Sequence, residues 1–301
     1  MKIGYACINM TLGSQKPKVT TNRGMIKKTF QEKGIEYASA LALDNVQDLI
    51  TIIKWNKNNN INFYRMSSDM FPWMSEYNFN ELPDYKKIKD VLANAGSLSK
   101  EYSQRLTFHP GPFNVLCSPR EDVVKKTISE LNKHSEIMDM MNLSRTQYNK
   151  INIHVGGVYG DKKTAMDRWI VNFEKLDEGA KSRLTVENDD KESCYTVEDL
   201  IYIHKATNVP IVFDYHHHSC HSGDMSHKDA LYMAISTWPK NITPATHVSE
   251  PRDEKNKRAH HEYVLSEVNN YGIDIDIMME AKAKEGAVIK YKKIHKELIF
   301  S

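Results

Sequence analysis

Residues 183–214 read RLTVENDDKESCYTVEDLIYIHKATNVPIVFD, and this stretch decides the fold. Two short, largely apolar runs, Arg183–Glu187 and Val209–Asp214, enclose a longer amphipathic segment. Thr196, followed three residues later by Asp199, is a helix-start signal in which Asp replaces the usual Glu. Short apolar runs of this length are typical of strands buried on both faces. The stretch therefore predicts a strand–helix–strand unit of a parallel sheet.

The same alternation continues from one end of the chain to the other. The predicted strands are Lys2–Ile8, Asn62–Met66, Arg105–His109, Lys150–Val155, Arg183–Glu187, Val209–Asp214, Ala245–Ser249 and Ile273–Glu280. Ser118-Pro119-Arg120-Glu121 is a capping-box pattern and predicts the start of a helix that runs through Met141. Ser226-His227-Lys228-Asp229 predicts another start by the same logic, with Asp in place of Glu. A further helix is predicted over Ala259–Tyr271.

About eight strands alternating with helices predict an α/β fold of the (β/α)8 TIM-barrel type, as a single domain over residues 1–301. The competing architecture is a doubly wound open sheet. It would bring a glycine-rich turn after the first strand, and Thr11–Gly13 does not match one. The barrel is the better interpretation.

Composition restricts the class of protein. No apolar run reaches eighteen residues, and MKIGYACINM at the start is unlike a secretory signal. Four widely spaced cysteines, without a C-x-x-C pair, argue against a disulfide scaffold and fit a reducing compartment. The net charge of +2 argues against a purely electrostatic DNA binder. We expect an intracellular protein of the cytoplasm or nucleus that is monomeric and has no membrane partner.

Residues with metal-ligand chemistry stand at the ends of six consecutive predicted strands. They are His109, His154, Glu187, Asp214, His247 and Glu280. The carboxyl ends of parallel barrel strands meet on one side, where the catalytic groups of such folds lie. A single histidine at a strand end is more often a core residue than a ligand, so the joint placement carries the inference. The pattern predicts one metal site.

The ligand types indicate which ions this site would hold. Imidazole and carboxylate together favour zinc, manganese or iron over magnesium or calcium. Six ligands exceed what one catalytic ion needs, so a bridging carboxylate, Glu187, would divide them between two or more ions. Ions about 3.5–4 Å apart can clamp the attacking and leaving oxygens of a phosphoryl displacement.

The tract DYHHHSCH, residues 214–221, offers further ligands. His217, three residues after Asp214, is a candidate ligand of a third ion. We expect His216 and His221 to belong to a surface tract and Cys220 to be a buried thiol. Downstream, either His260 or His261 could reach the same site.

Eight motifs give the chain a resemblance to a known family. They are YACINMTLG (Tyr5–Gly13), TTNR (Thr20–Arg23), YRMSSDMFP (Tyr64–Pro72), FHPG (Phe108–Gly111), HVGGVYGDK (His154–Lys162), VENDD (Val186–Asp190), FDYHHH (Phe213–His218) and MEAKAKE (Met279–Glu285). In order and spacing, over nearly the whole chain, they resemble the UV damage endonuclease family.

The resemblance implies a barrel related to the abasic-site endonucleases. Such an enzyme nicks double-stranded DNA immediately 5′ of a UV photoproduct, a pyrimidine dimer or a 6-4 product, and leaves a 3′-hydroxyl and a 5′-phosphate. The resemblance also implies up to three divalent ions, usually Mn²⁺, with Zn²⁺ or Mg²⁺ as alternatives. A hydroxide activated by these ions would attack the phosphorus in line.

By the same resemblance, the candidate ligands divide among three ions. His109 and His154 with Glu187 would hold the first ion. The second would be held by Glu187, Asp214, His247 and Glu280, and the third by His217 and His260. The catalytic set is Glu187, His109, His154, Asp214 and Glu280.

The residues expected to contact DNA lie after the first and third strands. The resemblance implies that Tyr5 and Asn9 contact the lesion, which would be flipped out of the base stack. After HPG the family usually has Gln and an aromatic residue that probe the bases opposite the lesion, whereas this chain has Pro112 and Phe113. Phe113 can wedge and stack, but Pro112 has no side-chain amide. Lesion recognition is therefore expected to rest more on shape.

A second departure concerns the seventh strand. Some members place a lysine two residues before the strand's histidine, where it can be modified and reach the metals. This chain has Ala245 there. Either the third ion finds another ligand, for which Glu262 is a candidate, or it binds more weakly.

Two other functions remain open from the sequence. A sugar isomerase or epimerase on a similar barrel also uses Glu, Asp and His on divalent ions, but needs no wedge residue. A non-enzymatic binding protein would have little need of six ligand-type residues at one place. Trp73 could stack on a base, and Lys290, Lys292, Lys293 and Lys296 are expected to form a solvated face, with phosphate contact as the minor alternative.

Overall fold

The computed structural model describes residues 1–295 as an α/β structure built on eight parallel strands. The strands are β1 (Ile3–Ala6), β2 (Phe63–Arg65), β3 (Arg105–Thr107), β4 (Ile151–His154), β5 (Leu184–Glu187), β6 (Ile211–Val212), β7 (Ala245–Val248) and β8 (Asp276–Met279). All eight predicted strands are confirmed, most of them slightly shorter than predicted. Of the C-terminal lysines, Lys296 lies outside the described residues.

Strand neighbours follow chain order around a curled sheet. Five strands pair in the order β3-β2-β1-β8-β7, and three pair in the order β4-β5-β6. Parallel bridges between Phe108 and Ile151 and between Asp214 and His247 join these two groups at both of their edges. Because all pairs are parallel, the carboxyl ends of the strands lie on one side, which we call the mouth. The predicted α/β class with a parallel sheet is confirmed.

Helices connect the strands. They are α1 (Met10–Gly13), α2 (Lys27–Asn58), α3 (Tyr85–Glu101), α4 (Glu121–Met140), α5 (Lys162–Phe173), α6 (Glu178–Lys181), α7 (Val197–Thr207), α8 (Tyr215–Cys220), α9 (His227–Ser236) and α10 (Glu285–Ile294). Short 3-10 turns occupy Met74–Glu76, Phe79–Glu81 and Gln147–Asn149. Within residues 1–295, no helix combines the length and the apolar content needed to cross a bilayer.

Helix starts agree with the sequence at two of three places. Thr196 and Asp199 form a reciprocal capping box at α7, and the Ser226 hydroxyl accepts the backbone N–H of Asp229 at α9. The predicted box at Ser118 is wrong. The helix begins at Glu121 after Arg120, because the Ser118 hydroxyl accepts the N–H of Arg120 and is not in position to cap the first turn.

The predicted helix over Ala259–Tyr271 is also wrong, since no helix occupies this segment. The backbone at His260 forms an antiparallel bridge with Pro251. The Glu250 carboxylate accepts the N–H groups of Leu265 and Ser266 at 2.9 and 2.7 Å. These non-helical partners take the backbone donors that a helix would have used.

Side chains inside the curled sheet differ from those outside it. The apolar cluster between strands and helices contains most of the buried aliphatic and aromatic residues. A smaller apolar cluster lies inside the sheet, and its strand residues alternate with outward-facing ones. It consists of Ala6, Phe63, Val212, Ala245 and Met278 from five strands, together with Trp238. The interior is thus apolar on one side. The side toward β3, β4 and β5 carries buried polar residues, and the mouth lies above both.

A buried ion pair closes the end of the sheet opposite the mouth. Arg105 of β3 is fully buried and lies 3.0 Å from the Asp276 carboxylate of β8. Its guanidinium also donates to the carbonyls of Thr243, Tyr148 and Gln147. The pair links two strands, β3 and β8, that are separated by β2 and β1 in the sheet.

We predict that Arg105→Met destabilises the protein by about 3–5 kcal/mol, because it leaves the Asp276 carboxylate buried without its partner. Urea unfolding followed by circular dichroism measures the change. Arg120→Met is the matched control, since its pair with Asp122 is exposed and screened by water. Equal effects of the two substitutions would contradict the assignment.

Candidate metal centre

The strand-end residues converge on Glu187 at the end of β5. Its Oε2 lies 3.0 Å from His247 Nδ1 and 3.2 Å from His109 Nε2. Its Oε1 lies 3.3 Å from His217 Nδ1 and 4.0 Å from His154 Nε2. The Glu187 side chain is 1% exposed. A carboxylate surrounded by imidazoles in a buried position is a suitable bridging ligand.

Two further carboxylates complete the set. Glu280, just after β8, lies 3.1 Å from His247 Nδ1 through its Oε1, which also accepts from the Arg65 guanidinium. Asp214 caps the start of α8, where its Oδ1 accepts the backbone N–H of His217 at 2.8 Å. We call the whole set the His–carboxylate cluster: His109, His154, Glu187, Asp214, His217, His247 and Glu280.

Within the cluster, three overlapping groups place ligand atoms close enough to share an ion. They are His109–His154–Glu187, His109–His247–Glu280 and Glu187–Asp214–His217. The first corresponds to the first ion implied by the resemblance, and the other two divide the remaining ligands differently. His260 Nδ1 lies 4.0 Å from Glu280 Oε2, but among residues 1–295 His260 joins no such group with His217.

Unpartnered polar atoms show that this cluster fits bound cations. Asp214 Oδ2 is buried and has no hydrogen-bond partner among the described residues, and His247 Nδ1 lies 3.0 and 3.1 Å from two carboxylates without the alignment of a hydrogen bond. Buried polar atoms are rarely left in this state, and both belong to groups that can donate a lone pair to an ion. The imidazole and carboxylate donors suit manganese, zinc or iron.

The histidines are oriented for binding by contacts on their other ring nitrogen. His109 Nδ1 lies 3.2 Å from the Pro110 carbonyl, and His154 Nδ1 lies 3.0 Å from the Asp189 carboxylate. In both rings Nε2 therefore faces Glu187. Contacts of this kind fix the ring orientation of metal-ligating histidines.

The electrostatics of the carboxylates follow from burial and from neighbouring positive groups. Burial opposes ionisation of Glu187, but His247 and His154 hold its pKa well below the usual range. Desolvation also opposes ionisation of the partly buried Glu280, but Arg65 holds its pKa well below the usual range. The pKa of Asp214 is raised by burial, to which Glu187 and Glu280 add.

The pKa values of the cluster histidines shift in opposite directions. Burial lowers the pKa of His109 to about 4. For His154, burial is outweighed by the Glu187 and Asp189 carboxylates, which raise its pKa to about 9. For His217, burial is outweighed by Asp214 and Glu187, and the pKa rises to about 11. In the absence of ions, the cluster balances its carboxylates by protonating some of its imidazoles.

Residues that follow Glu187 in the motif ENDD each have a structural task that the sequence reasoning did not assign. Asn188 pairs with the backbone of Asp214, donating to its carbonyl at 3.1 Å and accepting its N–H at 2.8 Å. Asp189 orients His154. Asp190 pairs with Arg258 at 2.6 Å and ties two loops together at the mouth. The sequence feature that could have indicated these contacts is the run of three polar residues directly after the strand.

The sequence analysis also did not predict a layer of buried polar residues next to the cluster, on the side away from the mouth. Asn152 of β4 donates to Glu187, and the Thr185 hydroxyl donates to Asn152 at 2.7 Å. Lys150 Nζ lies 3.0 Å from His247 Nε2. Lys150 and Asn152 alternate with outward-facing apolar residues, so the period of two along the strand was the available signal.

Tyr5 and Asn9 are placed away from the surface of the mouth. Tyr5 is fully buried, and its hydroxyl donates to Asn56 of α2 at 2.9 Å and accepts from Asn9 at 2.8 Å. Asn9 also accepts the N–H of Leu12 and so caps α1. The structure gives both side chains a role in fixing the β1–α1 turn, and their contact with a lesion stays a prediction.

The same turn is held from the other end of the chain. Glu285 of α10 is buried, and its carboxylate accepts the backbone N–H groups of Met10 and Thr11 at 2.9 and 2.6 Å. The Glu at the end of MEAKAKE is therefore a cap for α1. Like Tyr5 and Asn9, it shapes the backbone next to the mouth.

An open cleft of about 1160 Å³ leads from the cluster to the surface. Its lining includes His154 and His217 of the cluster as well as Pro112 and Phe113. The Phe113 ring is 89% exposed, the largest exposed fraction among the large hydrophobic side chains of residues 1–295. An apolar ring held in water at a cleft edge is available to pack against a ligand.

The remaining sequence predictions have mixed outcomes. His216 is buried, 3% exposed, so its prediction as a surface histidine is wrong; its ring packs edge-on against His260. Ala245 is buried in the interior cluster. Glu262 is exposed and joins no potential ligand group within the described part of the chain.

Solved structures of similar fold are found among both nucleases and sugar enzymes. Endonuclease IV from Thermus thermophilus aligns with a TM-score of 0.59 and 10% identity, over 83% of this chain and 95% of that one. D-psicose 3-epimerase from Clostridium cellulolyticum aligns with a TM-score of 0.56 and 13% identity, over 84% and 92%. At these identities the likeness shows the fold alone.

Similarity of 30% identity or more is found to UV-damage endonucleases. The chain is 36% identical to the UV-damage endonuclease of Schizosaccharomyces pombe over 96% of its own length, and it spans half the length of that relative. It is 34% identical to the UV DNA damage endonuclease of Clostridium perfringens, covering 99% of this chain and 72% of that one. The crystal structure of SacUVDE aligns over 99% of both chains with a TM-score of 0.87 and 31% identity.

The family model described as UV-endonuclease UvdE matches residues 1–299, nearly the whole chain. Fold, motif order and similarity to the curated relatives agree with this match. The chain belongs to the UV-endonuclease UvdE family.

Proposed function

We propose that this protein nicks DNA immediately 5′ of UV photoproducts, with divalent ions held in the His–carboxylate cluster. The products would be a 3′-hydroxyl and a 5′-phosphate, and manganese is the ion we propose first. The observation that carries the proposal is the buried Glu187 carboxylate in contact with four imidazoles at the mouth. The 31–36% identity to SacUVDE and to curated UV-damage endonucleases supports the substrate.

The same proposal extends to the architecture. We propose that the eight strands form one closed (β/α)8 barrel and that the chain acts as a single domain and as a monomer. The parallel bridges at both edges of the two strand groups support closure. A likeness to sugar epimerases that is limited to the fold does not favour the isomerase alternative.

The proposed ligands would act as one unit. His109 and His154 with Glu187 would hold one ion, and Asp214, His247 and Glu280 would extend the site. When bound, the ions would activate water as the nucleophile and neutralise charge that develops on the scissile phosphate. Asn188 and Asp189 would keep the ligands oriented, since each contacts a ligand residue directly.

The cleft supplies the proposed contact surface for DNA. Trp73, Phe113 and Tyr159 are aromatic lining residues, and Lys126, Lys191 and Arg258 are basic ones. Aromatic rings can stack on bases or wedge between them, and basic side chains neutralise phosphates. With Pro112 in place of an amide side chain, Phe113 would recognise the distortion of the duplex more than the identity of its bases.

Glu187→Gln tests the centre of the proposal. The substitution keeps the side-chain shape but removes the charge that the ions would share, so nicking should fall by about 1000-fold or more. The measurement is relaxation of UV-irradiated and intact supercoiled plasmid. Glu262→Gln, an exposed acid outside the cluster, is the matched control and should retain activity. Nicking by Glu187→Gln at the control rate would overturn the assignment.

Ion binding should release protons. Without ions, the pKa values of about 9 for His154 and about 11 for His217 keep both imidazoles protonated at neutral pH. Because an ion needs the neutral imidazole, Mn²⁺ affinity should rise with pH, by about tenfold per pH unit for each displaced proton. Calorimetric titration in buffers of different ionisation enthalpy counts these protons. His154→Gln should release fewer protons on Mn²⁺ binding than the unaltered protein does.

Exhaustive chelation should abolish nicking, and Mn²⁺ added to the same preparation should restore it. A pH-independent affinity, or nicking that persists after chelation, would contradict the proposed role of the cluster.

Phe113→Ala is expected to weaken nicking of irradiated plasmid about tenfold or more, since loss of one base–aromatic contact costs about 1–3 kcal/mol. The effect should appear in KM, because the ring lies at the cleft edge and not in the cluster. Pro112→Gln, the neighbouring substitution, should change only the ratio of activities on pyrimidine dimers and 6-4 products. Unchanged KM in Phe113→Ala would exclude the wedge role.

A further inference from the structure

Lys150 is an unusual residue for the interior of this protein. It precedes β4 and is fully buried. The buried arginines reach carboxylates, since Arg105 pairs with Asp276 and Arg183 with Asp139. The partly buried Arg65 likewise pairs with Glu280. Within residues 1–295, the hydrogen bond that the Lys150 amine makes is the one to His247 Nε2, at 3.0 Å. Burying a long polar side chain for a single hydrogen bond is costly, which suggests a specific task.

That contact lies on the rear of a cluster ligand. His247 is fully buried, and its Nδ1 faces Glu187 and Glu280 at 3.0 and 3.1 Å. Its Nε2 faces Lys150. The ring is therefore held between the carboxylates in front and one amine behind. Rotation about the Cα–Cβ bond would break both sets of contacts together.

Two other histidines of the cluster have such a rear contact, on the ring nitrogen away from Glu187. His109 uses the Pro110 carbonyl and His154 the Asp189 carboxylate, whereas the Nδ1 of His217 faces both the Asn188 carbonyl and Glu187. His247 has no carbonyl or carboxylate in this place among the described residues, and Lys150 occupies it. When Nδ1 binds an ion, Nε2 keeps the ring hydrogen and donates it to the lone pair of the Lys150 amine, so the 3.0 Å contact carries the inference.

The interior next to His247 has room for the Lys150 side chain. Ala245 lies two residues before His247 on the same face of β7 and contributes only a methyl group to the interior cluster. A long side chain at that position would compete for the volume beneath the His247 ring. Lys150 enters this interior from β4, on the other group of strands.

We propose that Lys150 is the positioning residue of His247, holding the ring so that Nδ1 points between Glu187 and Glu280 to bind an ion. The inference rests on the proposed function, because it gives His247 the role of ligand. Outer-shell contacts of ligating histidines typically contribute 10–100-fold to metal affinity. Loss of the Lys150 amine should therefore weaken Mn²⁺ binding even when the fold is unchanged.

The test measures Mn²⁺ binding to the metal-free full chain by electron paramagnetic resonance of the free ion. Lys150→Met, which keeps the length of the side chain, should weaken one binding step by about tenfold or more. Lys150→Gln, which keeps a hydrogen-bonding group, should fall between Lys150→Met and the unaltered protein. Thr107→Val is the matched control: its hydroxyl is buried below the mouth without a partner among residues 1–295, and binding should not change.

A double-substitution cycle separates positioning from a general structural effect. If Lys150 acts through His247, then adding Lys150→Met to His247→Gln should cause no further loss of Mn²⁺ affinity. Additive losses would overturn the inference, as would unchanged binding in both Lys150 variants while His247→Gln is impaired. Unchanged binding in His247→Gln itself would instead overturn His247 as a ligand and, with it, the proposed function.

Discussion

The burial of the Glu187 carboxylate is the constraint on which the rest of the structure depends. An isolated carboxylate removed from water loses several kcal/mol of hydration, and only close positive or hydrogen-bonding partners can offset this loss. Those partners, among them His109, His154 and His247, come from different strand ends. Each can approach Glu187 only if its strand is in register with the neighbouring strand. The partners that compensate the Glu187 charge are therefore available only when the strands pair in the observed order.

The interior of the sheet reflects the same requirement. Barrel-like parallel sheets are usually filled with bulky branched residues, whereas this interior combines an apolar side with a polar one. Asn152 and Thr185 form a hydrogen-bonded chain that ends on Glu187. Further down, Arg105 and Asp276 close the opposite end. Such buried pairs contribute little net stability, but they allow few alternative arrangements of the groups above them.

Much of this site could be predicted from the sequence because strand-end residues are local features. A short apolar run with Glu or His at its end indicates both the strand and the direction of the ligand. The supporting contacts were not predictable, because Lys150 and His247 are brought together by a register between distant strands. Likewise, Tyr5 and Ala6 point to opposite sides of β1, and no periodicity shows which side faces the interior. The prediction of a helix over Ala259–Tyr271 was wrong for a related reason. The Glu250 carboxylate, from outside this segment, accepts two of its backbone N–H groups.

The cap that Glu285 places on α1 joins the beginning of the chain to its last described helix. During synthesis, residues 1–13 emerge before the groups that hold them in place. Glu280, a member of the cluster, also lies in this late segment. A nascent chain on the ribosome therefore carries an incomplete set of ligands and an unfastened first turn. The complete His–carboxylate cluster should form only after β8 and α10 have left the exit tunnel.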